Sequence, residues 1–209
     1  MKVIYDLKNI DFNRIKELLE KKEIVVYPTD TVYGVGGLIT SEEAIKKIYQ
    51  AKERSYKSPI IALISSVDKI EEIAYINEKN REPIENLIEK FWPGGLTIIL
   101  KKKEFVPDIL TAEGDTIGIR MPNLDIALKI IESVGGVLPT TSANISGETT
   151  PRSYDEVSEK FRERVGILID GGKSPIGEES TIIDMSNEPK IVRVGAIPVE
   201  EIEKVIGKI

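Results

Sequence analysis

Short apolar runs alternate with amphipathic helical patterns along the whole chain, and this alternation constrains the fold more than any other feature. The run over 23–27, for example, precedes a helical pattern that begins after Ser41. Strand-length runs between helices predict a sheet with helices on its faces, in the α/β or mixed α+β class. The late strand-like segments 167–170, 181–185 and 191–194 follow one another without helices, which predicts antiparallel pairs within a mixed, twisted sheet.

The other elements follow from the same two periodicities. Further strands are predicted over 59–64, 96–100, 116–121 and 137–141. Further helices are predicted over 11–21, 68–74, 82–91, 125–133, 154–162 and 199–206. No internal repeat, low-complexity tract or long linker divides the 209 residues, so we expect one domain over 1–209 and no second domain.

The composition limits the chemistry. The sequence contains neither His nor Cys, which excludes Ser-His and Cys-His nucleophilic catalysis and metal binding through those side chains. An enzyme of this composition works through Lys, Arg, carboxylates, hydroxyls, amides and Mg²⁺, a set that suits nucleotidyl transfer. The net charge of −6 argues against tight, non-specific nucleic-acid binding as the main task.

The same sequence predicts a cytoplasmic protein without membrane contact. No run reaches the ~18 consecutive apolar residues of a membrane span. The first residues lack the basic and apolar regions of a signal peptide, and a chain without cysteine has no disulfide framework.

Four polar segments containing glycine or proline follow apolar runs, at 28–34, 52–59, 140–147 and 177–181. Loops at strand ends are where α/β proteins bind ligands, so we expect the functional residues there. Segment 171–174 resembles only the end of a P-loop, because Ile167 stands where its first glycine belongs.

Two other glycine-rich segments have structural interpretations. Segment 34–37 lacks the third glycine and the acidic residue of a dinucleotide-binding motif, so a bend or bulge is predicted there. Segment 92–95, with the sequence Trp-Pro-Gly-Gly, is predicted to be a turn between a helix and a strand.

Three groups of polar residues each allow two interpretations. Lys52 and Arg54 could complement the dipole at a helix end, or bind a triphosphate if the helix ends before Arg54. Arg120 could form a salt bridge or clamp a carboxylate. The hydroxyls and amide of segment 140–144 could cap a turn or bind phosphate oxygens, and segment 29–31 carries the same ambiguity.

In combination, however, these motifs occur in a family-specific order. They are Tyr27-Pro-Thr-Asp-Thr-Val-Tyr-Gly34, Lys52-x-Arg54, Trp92-Pro-Gly-Gly-Leu-Thr97, Gly118-Ile-Arg-Met-Pro122, Thr141-Ser-Ala-Asn-Ile-Ser-Gly147, Ser180-Thr-Ile-Ile-Asp184 and Arg193-Val-Gly195. Their order and spacing closely resemble those of the YrdC family of L-threonylcarbamoyladenylate synthases, from about residue 8 to residue 206.

The resemblance implies a YrdC-like sheet with a large, positively charged cavity. It also implies a reaction of ATP, L-threonine and bicarbonate (or CO₂) that yields threonylcarbamoyl-AMP and pyrophosphate. A downstream threonylcarbamoyl-transferase complex would then modify the tRNA adenosine next to the anticodon. Direct contact of this chain with tRNA is left open.

The resemblance also implies roles for individual residues. Those matching the ATP positions of the family are Lys52, Arg54, Ser58, Thr116, Ser142, Asn144, Thr150 and Arg193, of which Lys52, Arg54, Ser142 and Asn144 form the catalytic set. Those matching the threonine positions are Thr31, Arg120, Thr140 and Ser180. Mg²⁺ is expected with ATP, and its ligands are left unassigned, with Asp30 and Asp184 as candidates.

An RNA-binding module or RNA chaperone without catalysis is the alternative function. It would use the same basic cavity, but the acidic net charge and the absence of aromatic residues clustered beside basic ones argue against it.

Overall fold

A mixed sheet forms the centre of the protein in a computed structural model, which describes residues 3–209. The strands are β1 (Val3–Asp6), β2 (Val25–Tyr27), β3 (Gly34–Gly36), β4 (Ile61–Ile64), β5 (Ala74–Tyr75), β6 (Leu96–Lys102), β7 (Thr116–Arg120), β8 (Val137–Ser142), β9 (Ile167–Asp170), β10 (Thr181–Asp184) and β11 (Lys190–Arg193). The helices are α1 (Phe12–Glu20), α2 (Glu42–Ala51), α3 (Ile70–Ile73), α4 (Arg81–Phe91), α5 (Asp125–Ser133), α6 (Glu159–Arg162) and α7 (Val199–Ile206). Single 3₁₀ turns occur at Val67–Lys69, Glu78–Asn80 and Asp108–Leu110.

The strand order is β1-β9-β2-β3-β8-β4-β7-β6-β10-β11, with β5 paired to β6. The pairs β1–β9, β2–β9, β4–β7 and β6–β10 are parallel and the others are antiparallel. The predicted mixed sheet of the α/β class is therefore confirmed.

One predicted strand pairing is wrong. Strand β10 does pair antiparallel with β11, but β9 pairs parallel with β1 and β2 at the far end of the sheet. Segment 171–180 carries the chain from β9 to β10 across the sheet. In this segment, the main-chain N–H of Ile176 donates to the carbonyl oxygen of Asp30 at 2.9 Å. This hydrogen bond joins the segment to the loop after β2.

Helices cover both faces of the sheet. On one face, α1 and α5 pack with Leu63 and Leu138 in one apolar core. On the other face, α2, α4, α6 and α7 pack with Val26, Val35 and Ala62 in a second core. This division follows from the strand periodicity, because neighbouring residues of a strand point to opposite faces.

The helix starts follow their capping signals. Asp11 accepts a hydrogen bond from the main-chain N–H of Arg14 at the start of α1, and Ser41 accepts one from Ala44 at the start of α2. Within the described residues, no helix is both long and apolar enough to cross a membrane.

The helix predicted over 154–162 is mostly wrong, since α6 covers only its last four residues. Tyr154 and Val157 form a turn, and the backbone of Ser158 is extended, with its hydroxyl accepting from the N–H of Phe161. Ser158 is thus a cap that begins a new helix. The periodicity before it reflects burial of Val157 against the second core.

The bend or bulge predicted at 34–37 is wrong as well. Residues 34–36 form strand β3, which joins β2 to β8 by antiparallel pairs. A Cβ at Gly34 would lie only 2.6 Å from Thr140 Cγ2, so glycine is required for the Thr140 side chain to lie across this strand. Strands β1 and β5 were not predicted. Strand β1 has four residues and β5 has two, and both lie at edges of the sheet.

Candidate active site

The Lys-x-Arg element forms a turn at the end of α2. The helix ends at Ala51, and Glu53 adopts a left-handed backbone conformation with a φ of 50°. The N–H of Arg54 then donates to the carbonyl oxygen of Tyr49 at 2.9 Å, the hydrogen bond of a Schellman ending. Because the helix ends first, Lys52 and Arg54 can both point toward one site, as the functional interpretation of this pair requires.

The ammonium group of Lys52 is enclosed by oxygen atoms of the turn after β8. Its Nζ donates to the main-chain oxygens of Ser142 at 2.5 Å and Asn144 at 2.8 Å, and lies 3.1 Å from Asn144 Oδ1. Lys52 is only 1% exposed, and burial together with the nearby Arg54 lowers its pKa to about 7. Lys52 therefore braces this turn from inside the protein.

Asn144 is also held by protein groups. Its Nδ2 donates to the main-chain oxygen of Glu148 at 2.7 Å while its Oδ1 accepts from Lys52. The amide thus fixes the loop between residues 144 and 148.

Arg54 and Ser142, by contrast, line a cavity of about 140 Å³. The Nε of Arg54 donates to the main-chain oxygen of Ser58 at 3.2 Å, and its Nη2 donates to that of Pro59 at 3.0 Å. Burial lowers the pKa of Arg54, but a guanidinium stays charged at neutral pH. These two bonds use two of its five N–H donors, so the others can bind an anion.

A second cavity, of about 220 Å³, shares Arg54, Pro59, Ile61 and Ile182 with the first. Its other lining residues are Ile60, Ile99, Thr111, Thr116, Ile117, Gly118 and Val192. An apolar pocket with a few hydroxyls beside a cationic one suits a nucleoside next to its phosphates.

Arg193 closes the first cavity from the β11 edge. Its Nε and Nη2 donate to the main-chain oxygen of Ser180 at 3.0 and 2.9 Å, and its Nη1 donates to Glu179 at 3.0 Å. The buried Ser180 hydroxyl also lies 2.8 Å from that of Thr97. The Thr150 hydroxyl lies 3.4 Å from the carboxylate of Glu179, which lines the first cavity.

Arg120 lies in a buried ion pair at the end of β7. Its Nη1 donates to Asp30 Oδ1 at 2.7 Å and to the Gly94 carbonyl oxygen at 3.2 Å, and its Nη2 donates to Thr29 at 3.3 Å. Within residues 3–209, Arg120 Nε and Asp30 Oδ2 are buried and have no hydrogen-bond partner. Buried polar atoms are normally paired, so a ligand or water is expected beside them.

The buried hydroxyls of Thr31 and Thr140 point to different partners. Because Thr29 donates to the Val32 carbonyl oxygen, Thr31 donates to Thr29 across 3.0 Å. Thr140 donates to the Leu138 carbonyl oxygen and therefore accepts from the Tyr27 hydroxyl at 2.8 Å. Burial holds the pKa of Tyr27 well above its ordinary value, which keeps this hydroxyl protonated as the donor.

The predicted site residues thus divide into three sets. Lining one or both cavities are Arg54, Thr116, Thr140, Ser142 and Arg193. Buried or bonded to protein groups nearby are Lys52, Ser58, Asn144, Thr150 and Ser180. Thr31 and Arg120 lie in the cluster around Asp30.

A larger cavity, of about 550 Å³, lies outside these motifs, between α2 and the 108–113 turn. Its lining mixes acidic and basic side chains with the exposed ring of Tyr56. Its two lysines are opposed by the three carboxylates of Glu42, Asp108 and Glu113, so it suits a polyphosphate less well than the cavity of Arg54 and Arg193.

The acidic residues near the candidate site differ in how well they could bind a magnesium ion. Asp30 is held by Arg120, and Asp184 accepts a hydrogen bond from the N–H of Ser186 on another part of the sheet edge. Within the described residues, no three acidic side chains cluster as a metal site. Glu179 alone contributes a carboxylate to the described lining of the two cavities.

Sequence reasoning missed the individual roles of Tyr27, Asp30, Gly94, Thr97 and Glu179. Tyr27, Gly94 and Thr97 lie inside the recognised motifs, but their contacts depend on strand register. Glu179 directly precedes the Ser180 motif. Its proximity to Arg193 and Arg54 depends on the folded structure and leaves no signal in one sequence.

A family model for the Sua5, YciO and YrdC proteins, described as "Telomere recombination", matches residues 17–195. The threonylcarbamoyl-AMP synthase of Pyrococcus abyssi is 43% identical over 192 residues, which are 91% of this chain and 56% of that protein. A putative threonylcarbamoyl-AMP synthase of Methanocaldococcus jannaschii is 36% identical over 208 residues, which are 96% and 95% of the two chains.

Two solved structures share the fold. Sua5 of P. abyssi, crystallised with L-threonine, has a TM-score of 0.91 and 39% identity, over 100% of this chain and 62% of that one. YciO of E. coli has a TM-score of 0.81 and 25% identity, over 96% and 98% of the two chains. This chain spans little more than half the length of the P. abyssi and Bacillus subtilis synthases it matches. The chain belongs to the Sua5/YciO/YrdC family.

Proposed function

We propose that this protein is a threonylcarbamoyl-AMP synthase, which converts ATP, L-threonine and bicarbonate or CO₂ into threonylcarbamoyl-AMP and pyrophosphate. The main support is the convergence of Arg54, Ser142 and Arg193 on one cavity, beside an apolar pocket of nucleoside character. Relatives named threonylcarbamoyl-AMP synthase, and the likeness to a Sua5 structure with L-threonine, support the choice of substrates.

ATP would bind across both cavities. Its triphosphate would lie against Arg54, Arg193 and the Ser142 hydroxyl, because guanidinium groups bind phosphate oxygens through parallel hydrogen bonds. Its nucleoside would enter the apolar cavity, where Thr116 offers a hydroxyl and Ile61 and Ile182 form the walls.

L-threonine would bind next to the buried hydroxyls. Arg120 Nε is a buried donor without a partner in the described residues, and a carboxylate would satisfy it. Thr31, Thr140 and Ser180 would orient the rest of the amino acid through their hydroxyls. The contact of Tyr27 fixes the direction of the Thr140 hydroxyl.

The chemistry needs positioned groups rather than a covalent nucleophile. The neutral amine of threonine adds to CO₂ and loses a proton, giving an N-carboxylate. One oxygen of that carboxylate attacks the α-phosphorus, and the bond from this phosphorus to the pyrophosphate oxygen breaks. Arg54, Arg193 and Ser142 would stabilise the negative charge that develops on the phosphates.

Lys52 and Asn144 would act mainly by shaping the turn that carries Ser142. The Lys52 ammonium is satisfied by oxygens of this turn, so it holds Ser142 in place and adds its charge from behind. Direct contact of Lys52 with phosphate stays a prediction of the sequence.

Mg²⁺ would accompany ATP, and when bound it would neutralise charge on the phosphate oxygens. Oxygen ligands suit this ion, and with nucleotides it commonly takes one or two protein carboxylates. Glu179 fits this requirement better than Asp30 or Asp184, because it alone of the three lines the cavity proposed for the phosphates.

The proposal also includes the use of the product in the cell. The product would pass to a threonylcarbamoyl-transferase complex that modifies tRNA in the cytoplasm.

The test is to incubate the purified protein with ATP, bicarbonate and either threonine or serine, and to measure pyrophosphate and the adenylate by mass spectrometry. Threonine-dependent release of pyrophosphate with threonylcarbamoyl-AMP supports the proposal. Equal release without an amino acid, or none at all, rejects it. Steeply salt-dependent tRNA binding without turnover would favour the RNA-binding alternative.

A further inference from the structure

Glu179 places a negative charge in a cavity otherwise built for anions. It is the one acidic residue among the described residues that line the cavity of Arg54 and Ser142. Its charge also acts on Lys52 and Arg54, raising the pKa of each and thereby offsetting part of the effect of burial. A carboxylate in this position would repel a bare triphosphate.

The main chain of Glu179 is fixed, whereas its side chain is free to exchange partners. The Glu179 carbonyl oxygen accepts from the N–H of Ala196 at 2.8 Å, and the next residue, Ser180, is buried. The side chains of Glu179 and Arg193 are 37% and 39% exposed in their ion pair. An ion pair this exposed stabilises little, so a ligand can break it at low cost.

We propose that Glu179 is a metal ligand of the site, which gives a carboxylate oxygen to the divalent cation of the bound nucleotide. Arg193, released from Glu179, then binds the phosphates. Glu179 thereby selects the metal complex of ATP over free ATP. This inference rests on the proposed function, because it assumes that a triphosphate occupies the cavity.

The charges around Glu179 favour this assignment. Arg54 and Arg193 face it within the cavity, so a bound triphosphate would have its charge only partly neutralised by protein groups. A hard divalent cation held by Glu179 would supply the remaining positive charge. The hydroxyl of Thr150, at 3.4 Å, can orient the carboxylate.

The test measures the affinity for a non-hydrolysable ATP analogue by calorimetry, without threonine, once with Mg²⁺ and once with EDTA. The ratio of the two affinities is compared between the natural chain and Glu179→Gln. We expect the ratio to fall about tenfold, as for loss of a group that supports a bound metal. Metal-free binding should become tighter and metal-bound binding weaker.

Glu178→Gln is the matched control, because it removes the same charge from the neighbouring, exposed residue. Its ratio should equal that of the natural chain. Glu179→Ala serves as a second variant, and thermal melting of both variants verifies that they are folded.

A ratio that falls less than threefold in both Glu179 variants overturns the assignment. In that case nucleotide binding by the natural chain would leave the proposed function standing. If the natural chain binds the analogue under neither condition, the proposed function fails and the assignment fails with it.

Discussion

The Nζ of Lys52 lies 2.5 Å from the main-chain oxygen of Ser142, in the interior of the protein. Ninety residues of sequence separate these two partners. Lys52 therefore links the end of α2 to the turn after β8, and the geometry of the candidate site depends on this link.

Arg54→Ala and Lys52→Ala should differ in stability, although both should lose activity. Arg54 donates from the cavity wall, so its loss should leave the fold intact and lower pyrophosphate release ~30–1000-fold. Loss of Lys52 also leaves the main-chain oxygen and Oδ1 of Asn144 without their donor, which costs about 1–3 kcal/mol for each buried group, whereas the Ser142 oxygen still accepts from the N–H of Asn144. Turnover assays and urea unfolding of both variants measure this difference.

Lys57→Ala is the control for these two variants, because Lys57 is an exposed lysine of the same loop. It should retain both stability and turnover. Near-normal turnover in Arg54→Ala would remove Arg54 from the site.

The buried Lys52 predicts a dependence of stability on pH. Its pKa is lowered from 10.5 to about 7, so the folded protein binds fewer protons than the unfolded chain between these values. Stability from this group therefore rises with pH across that window, and the cost of burying the charge is fully present below pH 7. The slope is at most about 1.4 kcal/mol per pH unit.

Urea unfolding between pH 6.5 and about pH 9.5 compares the natural chain with Lys52→Met, which lacks the titrating group. The free energy of unfolding should rise more steeply with pH in the natural chain. Parallel curves would show that Lys52 titrates normally.

Glu53 adopts a left-handed conformation that favours glycine, at a φ of 50°. Glu53→Gly and Glu53→Ala lose the same contacts to Arg164 and Lys160. They differ in backbone strain, so the glycine variant should melt about 2–4 °C higher.

At Lys46, an exposed position inside α2, the order of melting temperatures should be reversed. Lys46→Ala should melt at a higher temperature than Lys46→Gly, because alanine is the better helix former. Differential scanning calorimetry of the four variants gives both comparisons. Equal melting temperatures for the two Glu53 variants would mean that the turn carries no strain.

Gly118 forms part of the floor of the apolar cavity. A Cβ there would lie 2.9 Å from Ile61 Cγ2 on the adjacent strand. Gly118→Ala should therefore destabilise the protein by about 1–3 kcal/mol. In the double variant with Ile61→Ala, the loss of unfolding free energy should be smaller than the sum of the losses in the two single variants by at least ~0.5 kcal/mol. Strict additivity of the two losses would contradict the contact.

Much of the fold could be predicted from local patterns. The caps Asp11 and Ser41, and the helix Asp125–Ser133, lie where the sequence predicts them. Strand β3 and the partners of β9 could not be predicted, because both depend on which distant strands pair. In β3 a contact with Thr140 requires glycine, although glycine normally indicates a bend.

The site was predicted as a set of residues but not as a set of contacts. Nothing local shows that Lys52 is enclosed by carbonyl oxygens or that Arg120 is paired with Asp30, since both partners lie about 90 residues away. A sequence motif looks identical whether its cationic side chain faces a ligand or the protein interior. Only the burial of that side chain in the structure distinguishes the two orientations.

A crystal structure with a non-hydrolysable ATP analogue, threonine and Mg²⁺ tests the central claim most directly. We predict the phosphates between Arg54, Ser142 and Arg193, within about 3.2 Å of their donor atoms, and the adenosine in the cavity that contains Thr116. A nucleotide seated in the cavity beside Tyr56 instead would contradict the account.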